Sequence, residues 1–191
     1  LNRPETINKT QGVGWYRLSF AAPKLDGRRA YLQFDAASRN AKVWLNGVYL
    51  GEHQGGFSRF RLDATDALRA NGENLLVVRA DNTKPAAGSA TADNLPLTGD
   101  FFVHGGLYRP VSLVLTSPVH FDMLDFGGPG VYATTTDLSA AKAGIQVRAR
   151  LRNDLAKARP VRLRTKLYDA AGRVAAQASA SVALPAKGAH E

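Results

Sequence analysis

Apolar and polar residues alternate with a period of two through nearly every patterned segment of this chain. That alternation confines the chain to β-strands with one buried and one solvated face. Clear cases are Trp15–Phe20, Ala30–Phe34, Lys42–Leu45, Leu75–Ala80 and Arg109–Thr116, followed by Val131–Thr135, Ile145–Leu151, Val161–Leu167 and Val174–Val182. In Ile145-Gln146-Val147-Arg148-Ala149-Arg150-Leu151-Arg152 the apolar side chains fall on one face and the polar ones on the other. Turn chemistry agrees. Asn46-Gly47 lies between two apolar runs and predicts a tight hairpin, because a type I′ turn needs positive φ at both central residues. Asn71-Gly72, Asp26-Gly27 and Ala171-Gly172 close other turns, and only Asp66–Ala70 hints at a helical turn, with Asp63 or Thr65 as its cap.

A boundary is expected at Thr116-Ser117-Pro118, where a strand ends and the pattern restarts. Residues 1–117 would form one antiparallel sandwich and residues 118–191 another. The second offers fewer strand candidates than the roughly seven of an immunoglobulin-type sandwich, so it reads as truncated and the chain as a piece of a longer protein. The first residues, Leu1 to Glu5, show no apolar core of a signal peptide, so any such leader is expected outside these residues.

The 191 residues carry a net charge of +9, which brings a nucleic-acid partner into question. The charge is dispersed, with 14 basic and 10 acidic residues in 1–117 and 11 and 6 in the remainder, and no basic block stands out. Strands 145–152 and 161–167 are read as solvated sheet faces rather than as a polyanion site, and they are expected on different sheets because opposed like charges destabilise. No nucleic-acid partner is expected. No apolar run approaches the ~18 residues that span a bilayer, so no membrane partner is expected either. There is no cysteine, hence no disulfide and no thiolate metal site.

Several motif matches fail on context. Asp125-Phe126-Gly127 copies a kinase tripeptide without the rest of that signature. Gly127-Gly128-Pro129-Gly130 opens no helix and reads as a turn. His53, His104, His120 and His190 have no metal-ligand spacing. Asn8-Lys9-Thr10 is a glycosylation sequon without a known secretory context. The chain has only four glutamates, and no pair of carboxylates presents itself as acid and nucleophile for glycoside hydrolysis. Trp15 and Trp44 are read as core rather than as a sugar-stacking platform.

Asp100 differs from the other acids. It follows a polar stretch from Asn82 to Gly99, long enough that function or disorder is expected. It also opens the run Asp100-Phe101-Phe102-Val103-His104-Gly105-Gly106-Leu107-Tyr108-Arg109. Two readings stand side by side: a turn-capping carboxylate, or an acceptor for a neutral polyol.

Five ordered motifs resemble the N-terminal region of the family 2 glycoside hydrolases, which include β-galactosidases, β-glucuronidases and β-mannosidases. They are Gly14-Trp15-Tyr16-Arg17; Phe34-Asp35-Ala36-Ala37 with Ala41 to Gly47; Gly51 to Phe60; Gly72 to Arg79 with Asp81-Asn82; and Asp100 to Arg109. Residues 118–191 are similar, less closely, to the start of that family's immunoglobulin-like domain. The resemblance implies an all-β chain: a jelly-roll, galactose-binding-like sandwich over 1–117, then an incomplete immunoglobulin-like sandwich over 118–191.

It further implies that a (β/α)8 barrel elsewhere in the same polypeptide supplies both catalytic glutamates, so this segment alone is expected to be inactive. The leading reading is a β-galactosidase that cleaves terminal β-glycosidic bonds with retention. Asp100 holds the position of a family acid that contacts a sugar hydroxyl and, in some β-galactosidases, a sodium ion. His104 is a second candidate contact, against the plainer reading of a surface-loop histidine. Arg109 is expected to pair internally or stack on Tyr108. No cofactor is required by this segment, while sodium or magnesium in the full-length enzyme is implied by the family. A bacterial periplasmic or secreted location is expected, with the cytoplasm as alternative, and oligomerisation is left open. The competing reading is a stand-alone carbohydrate-binding or cell-surface module.

Overall fold

A computed structural model describes residues 11–92 and 104–191. Asp100 and the Asn8 sequon lie outside them. The chain divides into two units, Leu1–Leu115 and Thr116–Glu191. All regular structure among the described residues is β.

The first unit contains β1 (Val13–Ala21), β2 (Arg29–Phe34), β3 (Asn40–Leu45), β4 (Val48–Gln54), β5 (Phe60–Asp63), β6 (Glu73–Asp81) and β7 (Val111–Thr116). Four form a sheet in the order β1-β6-β3-β4, and three form a second in the order β5-β2-β7. Their inner faces share one core. Val43 and Leu45 of β3 with Leu76 and Val78 of β6 pack with Ala30, Leu32 and Phe34 of β2, and Leu113 and Leu115 of β7 close against them. Phe34 and Phe60 stack at 4.7 Å within this core. The hairpin between β3 and β4 turns at Asn46 and Gly47, with φ of 53° and 85°, as Asn-Gly predicts.

Asn46 also ties two loops together. Its amide nitrogen donates to the carbonyl of Ala67 and to Asn74 Oδ1, and its oxygen accepts from the Leu75 amide. Asn74, itself buried, accepts a second bond from the Arg69 amide and donates to the carbonyls of Arg69 and Gly72. At the start of the same connection the Asp63 carboxylate accepts from the Thr65 amide and hydroxyl, a short local cap.

Register decides which residues face outward, and it corrects one sequence expectation. Tyr16 pairs with Val78 and Leu18 with Leu76, so the inward parity of β1 is Gly14, Tyr16, Leu18 and Phe20. Trp15 pairs with Arg79, which pairs in turn with Lys42. Trp15 and Trp44 therefore share the outer face with these cations, and Trp15 is 60% exposed rather than core.

The second unit contains β8 (Val119–Phe121), β9 (Val131–Leu138), β10 (Ala143–Ala149), β11 (Leu151–Asn153), β12 (Arg159–Tyr168), β13 (Val174–Leu184) and β14 (Gly188–His190). The ladders are β10-β9, β14-β11-β8 and β12-β13. The strand expected over 145–151 is thus two strands. At Arg150 the chain leaves β9, and β11 joins β8 and β14. Arg150 donates its amide to Gly130 and accepts from the Asp122 amide, while its guanidinium meets the buried Asp125, which also accepts from Tyr132. Asp125-Phe126-Gly127 is therefore a turn with a structural carboxylate. As expected, the basic strands β10 and β12 pair with different neighbours and leave Arg162 and Arg164 in solvent.

Phe34 has no solvent exposure and sits where both sheets meet. Phe34→Ala is expected to cost about 3–5 kcal/mol through lost burial and the cavity left against Phe60. Urea unfolding monitored by circular dichroism measures it.

Candidate functional site

Four chain segments converge at one end of the first unit: 35–39, 55–57, 81–82 and 104–110. Ser38 and Gly106 form an isolated antiparallel bridge, each amide donating to the other's carbonyl at 2.9 and 2.8 Å. Arg39 donates its amide to Asp81, and the Gly55 amide donates to Arg39. The Tyr108 hydroxyl donates to the Gly56 carbonyl at 2.5 Å. Arg109 lies 5.4 Å over the Tyr108 ring and donates to the Phe57 carbonyl, the internal role expected for it.

The glycine pair has a physical reason. A side chain on Gly105 would run into Asn82, and one on Gly106 would run into the Tyr16 hydroxyl. Gly106 also has φ of +76°, in the left-handed region where a side chain is strained. Asn82 is fixed in turn, since its side-chain oxygen accepts from the Gly12 amide at 2.8 Å. The connection from β6 to β7 thus leaves at Asn82 and returns at Gly105 beside it. Its two ends are closed into a neck by close approach and by the Ser38 bridge.

The carboxylates at this end are already engaged. Asp35 accepts from Arg59 at 2.8 Å and from Gln33 at 3.0 Å. Burial works against the charged form of Asp81, but bonds from the Thr83 hydroxyl and amide and from Arg79 outweigh it and hold the carboxyl below its usual range. Both acids thus spend acceptor positions on neighbours in the same unit. His104 is exposed, and its ring centre lies 6.4 Å from that of Tyr108. Among the described residues no three His, Asp or Glu side chains gather as a metal would require. What this end can do is present the β6–β7 connection from a neck closed by backbone bonds and close approach, and the described residues add no acid–base pair to it.

The glycine pair and Tyr108 were visible in sequence. Their partners Tyr16, Ser38 and Gly56 were not. They lie between about 50 and 90 residues away, and only tertiary pairing makes them neighbours.

The model of a domain described as "Glycosyl hydrolases family 2, sugar binding domain" matches residues 1–118. This chain therefore belongs to glycoside hydrolase family 2. A β-glucuronidase of Formosa agariphila is 34% identical over an alignment 188 residues long that covers 93% of this chain and 19% of that protein. A β-galactosidase of Bacteroides ovatus is 32% identical over 171 residues, 89% of this chain and 18% of that one. The crystal structure of a Bacteroides uniformis β-glucuronidase is similar with a TM-score of 0.85 at 28% identity, over 95% of this chain and 21% of the other. The chain thus spans about a fifth of the length of these relatives.

One test addresses the neck and a second the core beside it. Gly106→Ala is expected to destabilise by at least about 1–2 kcal/mol from left-handed backbone alone. Combining it with Tyr16→Phe, which removes the obstructing hydroxyl, should recover part of the loss in urea titrations.

The second test is pH. His53 stacks on Phe60 with ring centres 4.3 Å apart, and burial pushes its pKa below the ordinary value. The unfolded chain then takes up that proton first. Stability is complete above pH ~6.5 and drains as pH falls through that value toward the folded pKa. His53→Phe should flatten the slope of Tm against pH between about pH 7.5 and 5.5. His120, which burial also lowers against the opposing pull of Asp154, contributes to the slope that remains.

Proposed function

We propose that this chain is the N-terminal, non-catalytic portion of a retaining β-glycosidase of the β-galactosidase and β-glucuronidase type. In this reading a catalytic barrel of the same polypeptide supplies the acid/base and the nucleophile. The β6–β7 connection carries Asp100 to the bound sugar, where its carboxylate accepts a hydrogen bond from a ring hydroxyl. His104 flanks the same sugar. The observation that carries the reading is the closed neck at Asn82 and Gly105-Gly106, which gives a long connection a rigid base at the family's motif. The names borne by the relatives, β-glucuronidase and β-galactosidase, support the choice of a β-linked sugar and leave both sugars in play.

The physical role is binding rather than proton transfer. A hydroxyl donating to an ionised acid is worth about 1.5–3 kcal/mol once water is excluded. Asp100→Ala in the full-length enzyme should therefore lower kcat/KM by about ten-fold to a hundred-fold, with unfolding unchanged. Assays with nitrophenyl β-galactoside and β-glucuronide measure this and decide the sugar. Unaltered kinetics on the better substrate would remove Asp100 from the site. The 191-residue chain alone should hydrolyse neither.

A further inference from the structure

The outer face of the β1-β6-β3-β4 sheet carries a feature that plays no part in the reading of Asp100. Trp15, Trp44 and Tyr49 run across it as a ridge, with ring centres 5.7 Å apart and tilted by 31°, then 5.4 Å apart and tilted by 49°. Tyr49 is 49% exposed, close to Trp15 in its openness. Beside the ridge, in line with Trp15 across the strands, stand Arg79, Lys42 and Glu52. With Asp81, Asn40 and Gln54 of the adjacent row they line a polar cleft of about 170 Å³.

The chemistry of this face is selective. Its charges cancel in pairs: Lys42 lies 3.4 Å from Glu52, and Arg79 2.9 Å from Asp81. The Tyr49 hydroxyl donates to Glu52 at 3.3 Å and joins the ridge to the polar row. A cleft with cancelling charges offers an ion little net attraction. A nucleic acid would need unpaired cations, and of the outward cations here only Arg17 stands away from the cleft, in the row of Trp44.

A neutral pyranose matches both halves. Its C–H face can lie on an aromatic ring, while its hydroxyls accept from Lys42 and Arg79 and donate to Glu52. Strand-borne tryptophan also loses little conformational freedom on binding.

We propose that this sheet face binds neutral polysaccharide, with a sugar ring stacked on the Trp15–Trp44 ridge and its hydroxyls held by Lys42, Glu52 and Arg79. The inference is independent of the role given to Asp100, and the test separates the two.

Native gels of the full-length protein are run with β-1,4-galactan, galactomannan or xyloglucan embedded, and with polygalacturonate as the charged counterpart. Retardation by at least one neutral polymer is expected. Trp15→Ala and Trp44→Ala should each weaken it by about ten-fold. Trp15→Phe, which keeps an aromatic surface, should retain most of it, and Asp100→Ala should leave it unchanged. Absence of retardation by every neutral polymer would overturn the proposal. So would retardation by polygalacturonate alone, retardation indifferent to both tryptophans, or retardation abolished by Asp100→Ala. A change in the oligomeric mass of the Trp15→Ala protein would also overturn it, since the face would then be a subunit contact.

Discussion

The pairing of β3 with β6 is the constraint on which the first unit rests. Val43 opposite Val78 and Leu45 opposite Leu76 turn four aliphatic side chains to the second sheet. The same register turns Lys42, Trp44, Val77 and Arg79 to the other side. Because side chains alternate strictly, a slip of one residue would exchange the two sets and bury the cations. Phe34 and Phe60 on the opposite sheet meet a smooth aliphatic surface only in the observed register. The aromatic ridge and the charge pairs of the outer face follow from the same choice, so core and surface have a common origin in one ladder.

That dependence explains what could be read along the chain and what could not. Turns are local. Asn46-Gly47 and Asp26-Gly27 adopt positive φ at both residues, as their chemistry demands. Strand identity was also legible, since period-two patterning belongs to each segment. The facing of Trp15 was not, because bulk and hydrophobicity argue for the core while its parity with Arg17 argues against it. Only the pairing with Arg79 decides. The break at Arg150 was hidden for a similar reason: the groups Arg150 bonds there, Asp122, Asp125 and Gly130, lie 20 to 28 residues earlier. At the candidate site, Gly105-Gly106 signalled a backbone requirement, while the hydroxyl of Tyr16 that enforces it came from the other end of the unit.

The neck and the outer face illustrate two ways of stabilising a surface feature. At the neck, backbone bridges and close approach do the holding, with glycine where any side chain would intrude. On the outer face, strands do the holding, and side chains are free to specialise because the ladder beneath them needs nothing from them. Membership of glycoside hydrolase family 2 accords with such a scaffold, in which chemistry is grafted onto connections and faces while the sheets remain generic.

The amide of Asn74 uses every bonding position it has: two acceptances at its oxygen and two donations from its nitrogen, all inside the protein. Aspartate would lose both donations, glutamine would overreach by a methylene, and any aliphatic residue would remove all four bonds at once. Among homologous chains this position should therefore admit almost no variation, while exposed Glu73 beside it drifts freely.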